Sequence, residues 1–128
     1  MNTKMYTSIC PPAPVEYLTL QVLLVSEQLA ALNRVLIASN LAIADTFFNR
    51  HSDLFTYRRP MAGPVALVGI NVASATVYCD SLVEAAGVML LPSPSLGIGD
   101  RHVRFGFGRL SFPEALGAFE TYVGGESV

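Results

Sequence analysis

The sequence predicts an α/β chain of the α+β two-layer type, in which a small, mainly antiparallel sheet of three or four strands carries helices on one face. Short apolar runs of strand type alternate with segments of helical periodicity. The strand-like runs cover 54–58, 65–70, 88–91 and 103–108, and the helical segments cover 15–48, 74–86 and 112–123. A chain of 128 residues provides one core and has no room for a second large domain.

The first part of the chain predicts an arm followed by two helices. Residues 1–14 end in Cys-Pro-Pro-Ala-Pro, which favours an extended arm, and residues 15–128 form the predicted domain. Helical periodicity predicts a short helix to about Val25 and a long helix from Gln28 to Phe48.

The long helix carries two apolar stripes, and we expect them to face different surroundings. One stripe is predicted to face the core and consists of Leu29, Leu32, Leu36, Ile43 and Phe47. The second stripe consists of Ile37, Leu41 and Phe48. Either this second stripe or the short helix before it is expected to touch a partner surface that the chain does not itself contain.

The middle of the chain carries the turn and capping residues that such a sheet needs. Residues 61–64 read Met-Ala-Gly-Pro, which predicts a turn before the central strand. Ser74 is suited to cap the next helix, and Gly87 is suited to end it. A long loop rich in proline and glycine is predicted from Pro92 to Asp100.

The last strand places one arginine on an otherwise bare surface. Alternation puts Val103, Phe105 and Phe107 on one face, and it puts Arg104, Gly106 and Gly108 on the other. Glycine within a strand permits close approach to the backbone, and a guanidinium fork suits a carboxylate or a phosphate. The pattern Ser111-x-x-Glu114 then predicts a helix that begins at about Phe112.

Composition excludes several classes of function. A net charge of −2 with dispersed arginines gives no footprint for nucleic acid, and the apolar runs are too broken by proline and glycine to span a membrane. The sequence predicts no metal site, because its histidines and cysteines lack ligand spacing. Since the first ten residues lack the apolar core of a secretory signal, we expect a cytoplasmic protein.

Two segments resemble the C-terminal small domain of the class I/II aminotransferases, which are fold-type I pyridoxal-phosphate enzymes. They are residues 6–17 and the run Arg104-Phe-Gly-Phe-Gly-Arg109. In that family, an arginine at the position of Arg104 binds the α-carboxylate of the substrate. The resemblance makes Arg109 a secondary candidate, and it makes Gly63 another, since the Pro-x-x-Gly turn of the family lies near the substrate.

The resemblance implies a complete enzyme that transfers an amino group between an amino acid and a 2-oxo acid through pyridoxal 5'-phosphate. It also implies a homodimer and a large cofactor domain that is absent here. Lys4 is the only lysine of the chain, and it falls after the position of the family's catalytic lysine. We therefore expect no catalytic residue, no cofactor-binding residue and no bound cofactor in this chain alone.

Two other interpretations remain open at the level of the sequence. The chain could be a stand-alone, non-catalytic module that binds carboxylates or mediates an interaction. It could also be a fragment from a truncated reading frame, without activity of its own.

Overall fold

The computed structural model describes residues 12–125. Backbone contacts divide the chain into two units, residues 1–34 and residues 35–128. The helices are α1 (Ala13–Leu24), α2 (Ser26–Arg50), α3 (Ala75–Ala86) and α4 (Phe112–Gly125). The strands are β1 (Phe55–Thr56), β2 (Val65–Ile70), β3 (Leu91–Pro92) and β4 (His102–Gly106), and a short 3₁₀ helix spans Ser93–Leu96.

The first unit begins with a helix that has no buried residue. Helix α1 starts at Ala13, two residues before the predicted Val15, because Pro14 is compatible with the first helical turn. Most of the predicted arm, residues 1–14, lies outside the described residues. Leu18 is 60% exposed and Leu24 is 72% exposed. A helix that is apolar on every side normally lies inside a protein or against one, so α1 presents an uncovered surface.

The second unit contains a four-stranded sheet in the order β1-β2-β4-β3, with every neighbouring pair antiparallel. The long central pair is β2 and β4, and it runs in register from Val65 opposite Gly106 to Gly69 opposite His102. The predicted antiparallel sheet with an α+β architecture is confirmed. The central strand predicted at residues 65–70 has the same bounds in the structure.

The edge strands are shorter than the sequence predicts. Strand β1 covers only Phe55–Thr56, although Asn71 N still donates to Leu54 O at 2.8 Å beside it. Strand β3 covers Leu91–Pro92 rather than residues 88–91. Proline has no N–H to donate, and an edge strand tolerates it because one side of that strand needs no partner.

Aromatic rings join three helices to one face of the sheet. The ring of Phe105 on β4 lies 5.0 Å from Phe48 of α2 and 5.8 Å from Phe119 of α4. Tyr78 of α3 lies 6.4 Å from the same Phe119 ring. Ring pairs at such separations add to the stabilisation from burial alone, so the core forms on this face and leaves the other face open.

The predicted core stripe of the long helix is right at Phe47, which is buried, and wrong at three of its other positions. Leu29, Leu32 and Ile43 are exposed, whereas Leu41 and Phe48, predicted to face a partner, are buried in the core with Ile37 packed against it. The buried stripe is Asn40, Leu41, Ala44, Phe47 and Phe48. Asparagine and alanine contribute little hydrophobicity, so the hydrophobic periodicity of this helix face is weak in the sequence. Tertiary packing nevertheless buries this face.

Buried Asn40 connects helix α2 to the end of β4. Its side-chain amide donates to Phe107 O at 2.8 Å and to Arg109 O at 2.9 Å, and the residue is only 2% exposed. Both carbonyls lie in the segment between β4 and α4. A buried amide is stable only when it is hydrogen-bonded, so these two bonds fix the path of the chain from Phe107 to Arg109.

Helix α3 begins with the predicted cap and receives a second one from a distant loop. Ser74 Oγ accepts from Val77 N at 3.2 Å and donates to Asp100 Oδ2 at 2.6 Å. Asp100 Oδ1 accepts from both the backbone N–H and the hydroxyl of Thr76 at 2.9 Å. The hydrogen bond from the Ser74 hydroxyl, followed by those from Thr76, lowers the pKa of the Asp100 carboxyl below its usual value.

Among residues 12–125, no single helix is long and apolar enough to cross a bilayer, although α1 and α2 pass that test together, as a bent pair, by length and composition.

We expect the exposed surface of α1 to drive self-association of the chain. Replacing Leu18 and Leu24 together by Gln should shift the sedimentation profile towards monomer, because it removes apolar area from water at no cost to the core. The control Leu41→Gln alters a buried side chain and should cost at least about 2 kcal/mol of unfolding free energy. An unchanged profile for the double variant would contradict the role of α1.

Replacement of Asn40 by Leu should destabilise the protein by about 1–3 kcal/mol, because the buried carbonyl of Phe107 loses a donor and the part-buried carbonyl of Arg109 loses one of two. Urea unfolding followed by circular dichroism measures the change. Asn33→Leu is the matched control on the exposed part of α2, and it should change the unfolding free energy by less than about 0.5 kcal/mol. Similar losses in the two variants would show that Asn40 has no special structural role.

Asp100 should contribute to stability at neutral pH and lose that contribution in acid. Because its folded pKa lies below the unfolded value, the stabilisation is present above about pH 4 and disappears as the pH falls through the folded pKa. The urea midpoint of wild type should therefore exceed that of Asp100→Asn at pH 6, and the difference should shrink towards pH 2. When both proteins also carry Ser74→Ala, the difference between their urea midpoints should be smaller at every pH. A difference that grows on acidification would refute the assignment.

Candidate functional site

Strand β4 separates a packed face from an open face, as the sequence predicts. Val103, Phe105 and Phe107 are at most 3% exposed, and Phe107 continues the alternation beyond the end of the strand. Arg104 and Gly106 lie on the exposed face. The guanidinium of Arg104 is therefore carried by a strand whose other face is anchored in the aromatic core.

Arg104 lies in the middle of the sheet between two apolar neighbours. The register places it opposite Leu67 on β2 and opposite Leu91 on β3. Both leucines are partly accessible, and Gly106, the next residue of β4 on this face, adds no side chain. Aliphatic neighbours support the stem of an arginine while its charged end stays accessible, and they offer no competing charge.

No carboxylate in residues 12–125 neutralises Arg104 or Arg109. The ion pairs of this region join Arg34 to Glu27, Arg50 to Glu120, and Arg59 to Asp45, and His51 Nε2 lies 3.5 Å from the same Glu120 carboxylate. Asp100 is the acid nearest to Arg104 in the sequence. Its carboxylate is instead hydrogen-bonded to Ser74 and Thr76 at the start of α3.

Arg104 and Arg109 line one groove with a volume of about 670 Å³. Ser111 and Glu114 line the same groove at the start of α4, and the segment from Gly87 to Leu91 forms another part of its wall. The arrangement offers two guanidinium groups, one hydroxyl and one opposing carboxylate. Two unpaired arginines beside a helix N-terminus can bind an anionic group such as a carboxylate.

Gly63 does not line this groove. Its φ of 82° places it in the left-handed region, and an added Cβ would meet no atom within 4 Å. The glycine is therefore needed for the turn conformation and not for close approach. Its neighbour Pro64 is tied to the site segment, since Phe107 N donates to Pro64 O at 2.7 Å.

Two other ionisable side chains among residues 12–125, Cys79 and Tyr57, have raised pKa values. Burial raises the pKa of the Cys79 thiol to about 11, so the thiolate is scarce at neutral pH. Burial, assisted by the hydrogen bond to Asp45, raises the pKa of Tyr57 to about 12. In the described part of the chain, no group of three or more His, Cys, Asp or Glu side chains could hold a metal ion.

Asn40 is the positioning residue that the sequence reasoning missed. It holds the backbone of Arg109 and touches no groove surface itself. The sequence signal that could have identified it is its position among apolar residues at helical spacing, namely Ile37, Leu41, Ala44 and Phe48. A polar residue on an otherwise apolar helical face requires a buried partner, and here the partner is the site segment.

Solved structures of pyridoxal-phosphate-dependent enzymes share this fold. A PLP-dependent aminotransferase from Streptococcus suis 89-1591 matches with a TM-score of 0.81 and 25% identity over 94% of this chain and 32% of the other. The PLP-dependent cyclase OrfR matches with a TM-score of 0.85 and 19% identity over 97% and 35%. Aspartate aminotransferase from Thermotoga maritima matches with a TM-score of 0.74 and 17% identity over 94% and 31%.

Sequence comparison alone does not reach this relationship, since no family model and no curated protein matches the chain. The structural matches confirm the resemblance at the level of fold. The matched region covers 94–97% of this chain but only 31–35% of each of the three enzyme chains. The chain therefore has an aminotransferase-like fold, that of about one third of a PLP-dependent aminotransferase.

Proposed function

We propose that this chain is the substrate-carboxylate-recognising part of a PLP-dependent aminotransferase of amino-acid metabolism that acts in the cytoplasm. One observation supports it above the others. Arg104 has no ion-pair partner among residues 12–125, lies on the open face of the sheet, and shares a groove with Arg109 within an aminotransferase-like fold. An unpaired arginine in a groove is suited to take its counter-charge from a ligand.

The proposed contribution of Arg104 is to bind and orient the substrate. Its planar fork can donate two parallel hydrogen bonds to the α-carboxylate of an amino acid or a 2-oxo acid, which fixes both position and rotation. Since β4 is anchored through Phe105 and Phe107, the guanidinium is held on a rigid support. Precise orientation of a substrate lowers the entropic part of a reaction barrier.

Arg109 is the secondary candidate in this proposal. It lines the same groove, and its backbone is held by Asn40. The second positive charge would strengthen the attraction of the groove for an anion. Gly63 supports the site indirectly, through the turn that precedes β2.

The described residues do not fit the attachment of pyridoxal phosphate. Residues 12–125 contain no lysine, and Lys4 lies outside that range. The cofactor would therefore belong to the part of the complete enzyme that this chain does not cover. In this proposal the present chain carries no catalytic residue and recognises the substrate only.

The exposed surface of α1 supports a missing partner. Leu18, Leu23 and Leu24 are each at least 60% exposed. We propose that a large cofactor domain covers this surface in the complete enzyme, which would itself be a homodimer. Of the two partner surfaces expected from the sequence, this proposal uses the short helix, because Leu41 and Phe48 are buried in the core.

A stand-alone carboxylate-binding module is the second candidate. It is favoured by the combination of a formed arginine groove and the absence of lysine from the described residues. In that case the binding site would be the whole function, and no cofactor domain would be needed. The two candidates share the role of Arg104.

Replacing Arg104 by Gln should weaken binding of a labelled amino acid or 2-oxo acid about 10- to 100-fold, because one bidentate charge-assisted contact is lost. Equilibrium dialysis of the full chain measures this affinity, and it tolerates self-association. Arg104→Ala should change the unfolding free energy by less than about 0.5 kcal/mol.

Phe105→Ala, on the buried face of the same strand, serves as the stability control and should cost about 3–5 kcal/mol. An equal loss of unfolding free energy in Arg104→Ala and Phe105→Ala would show that Arg104 is needed for the stability of the fold. Unchanged carboxylate affinity in Arg104→Gln would contradict the proposed function.

A further inference from the structure

A second groove, with a volume of about 480 Å³, lies outside the site described above. It is formed where β1 ends, where β2 ends and where β4 begins. Its polar lining consists of Asp53, Thr56, Arg58, Asn71, Arg101 and His102, and neither Arg104 nor Arg109 contributes to it. No step of the proposed function uses these residues.

The charge of this groove is positive and unbalanced. Arg58 and Arg101 are exposed, and no carboxylate of the described chain forms an ion pair with either. Asp53 is the single carboxylate in the lining, and it opposes two guanidinium groups. Two unpaired arginines in one concave surface attract an oxyanion far more strongly than an isolated surface arginine does.

The backbone around the groove is held in place. Ile70 N donates to Arg101 O at 2.9 Å, which ties the start of β4 to the end of β2. Asn71 N donates to Leu54 O at 2.8 Å, which ties the same end of β2 to β1. The two arginines therefore extend from a paired framework, although their side chains are exposed.

A missing side chain opens the floor of the groove. Gly69 lines it, and a Cβ at this position would lie 3.2 Å from Thr56 Cβ and 3.7 Å from His102 Cδ2. The space between Thr56 and His102 is therefore available because residue 69 is glycine. His102 lines the groove, and its Nδ1 atom is buried without a hydrogen-bond partner in residues 12–125.

We propose that this groove is a second anion site, which binds a phosphate or carboxylate group of a small ligand between Arg58 and Arg101. Asn71 and Thr56 supply neutral hydrogen-bond donors beside the two guanidinium groups. The second site does not include Arg104, so its test is independent of the test of the proposed function. Phosphate and carboxylate share the oxyanion chemistry that an arginine fork recognises.

The test measures binding of labelled inorganic phosphate and labelled succinate to the full chain at low ionic strength by equilibrium dialysis. The background variant carries Arg104→Gln and Arg109→Gln, which removes both arginines from the first groove. The arginines of the second groove are retained. The background should retain one equivalent of at least one anion. Retention of phosphate alone indicates a phosphorylated ligand, and retention of succinate alone indicates a carboxylate ligand.

Within this background, Arg58→Gln and Arg101→Gln should each weaken binding about tenfold or more, as expected for the loss of a charge-assisted contact. Asp53→Asn removes the opposing charge and should strengthen binding. Gly69→Ala keeps every charge but fills the floor, and it should weaken binding while the far-ultraviolet circular dichroism spectrum stays the same.

The control for net charge is Arg34→Gln, which changes an exposed arginine that does not line the groove. It should leave the affinity within about twofold, because screened charges outside the site contribute little. The proposal is overturned if the background variant retains neither anion. It is equally overturned if Arg34→Gln weakens binding as much as Arg101→Gln does.

Discussion

The two hydrogen bonds from the Asn40 amide are the constraint on which the site depends. They connect the core face of α2 to the carbonyls of Phe107 and Arg109, 67 and 69 residues away in sequence. Because a buried amide without partners would be costly, the segment between β4 and α4 has one favourable path. That path places Arg109 in the groove that also receives Arg104. The position of Arg109 therefore depends on a neutral side chain in the core, whereas Arg104 is positioned by strand β4.

The sequence predicted most of the second unit because its signals are local. Ser74 caps the start of helix α3 and Gly87 ends it, as expected. The alternation along β4 correctly predicted that Arg104 lies on the exposed face. The buried face of α2 was not predicted, since Asn40 and Ala44 weaken its hydrophobic pattern while exposed leucines elsewhere imitate a core stripe. The leucines that flank Arg104 could not be predicted either, because strand register depends on pairing across the sheet.

Several acidic residues of the domain have structural roles away from Arg104. Asp100 caps α3, Asp45 binds Arg59 and Tyr57, and Glu120 binds Arg50. These structural roles occupy three of the carboxylates, while Glu114 lines the groove together with Arg104. Ion pairs and caps thus stabilise the framework, and Arg104 on the open face of the sheet has no ion-pair partner among residues 12–125.

Under the proposed function, this chain recognises a substrate but does not perform the chemistry of amino transfer. The most direct measurement incubates the full chain with pyridoxal phosphate, an amino acid and a 2-oxo acid, follows product formation, then reduces with borohydride and maps the modified lysine. The account predicts no amino transfer and no stoichiometric, selective labelling of Lys4. Selective labelling of Lys4 together with turnover would contradict it.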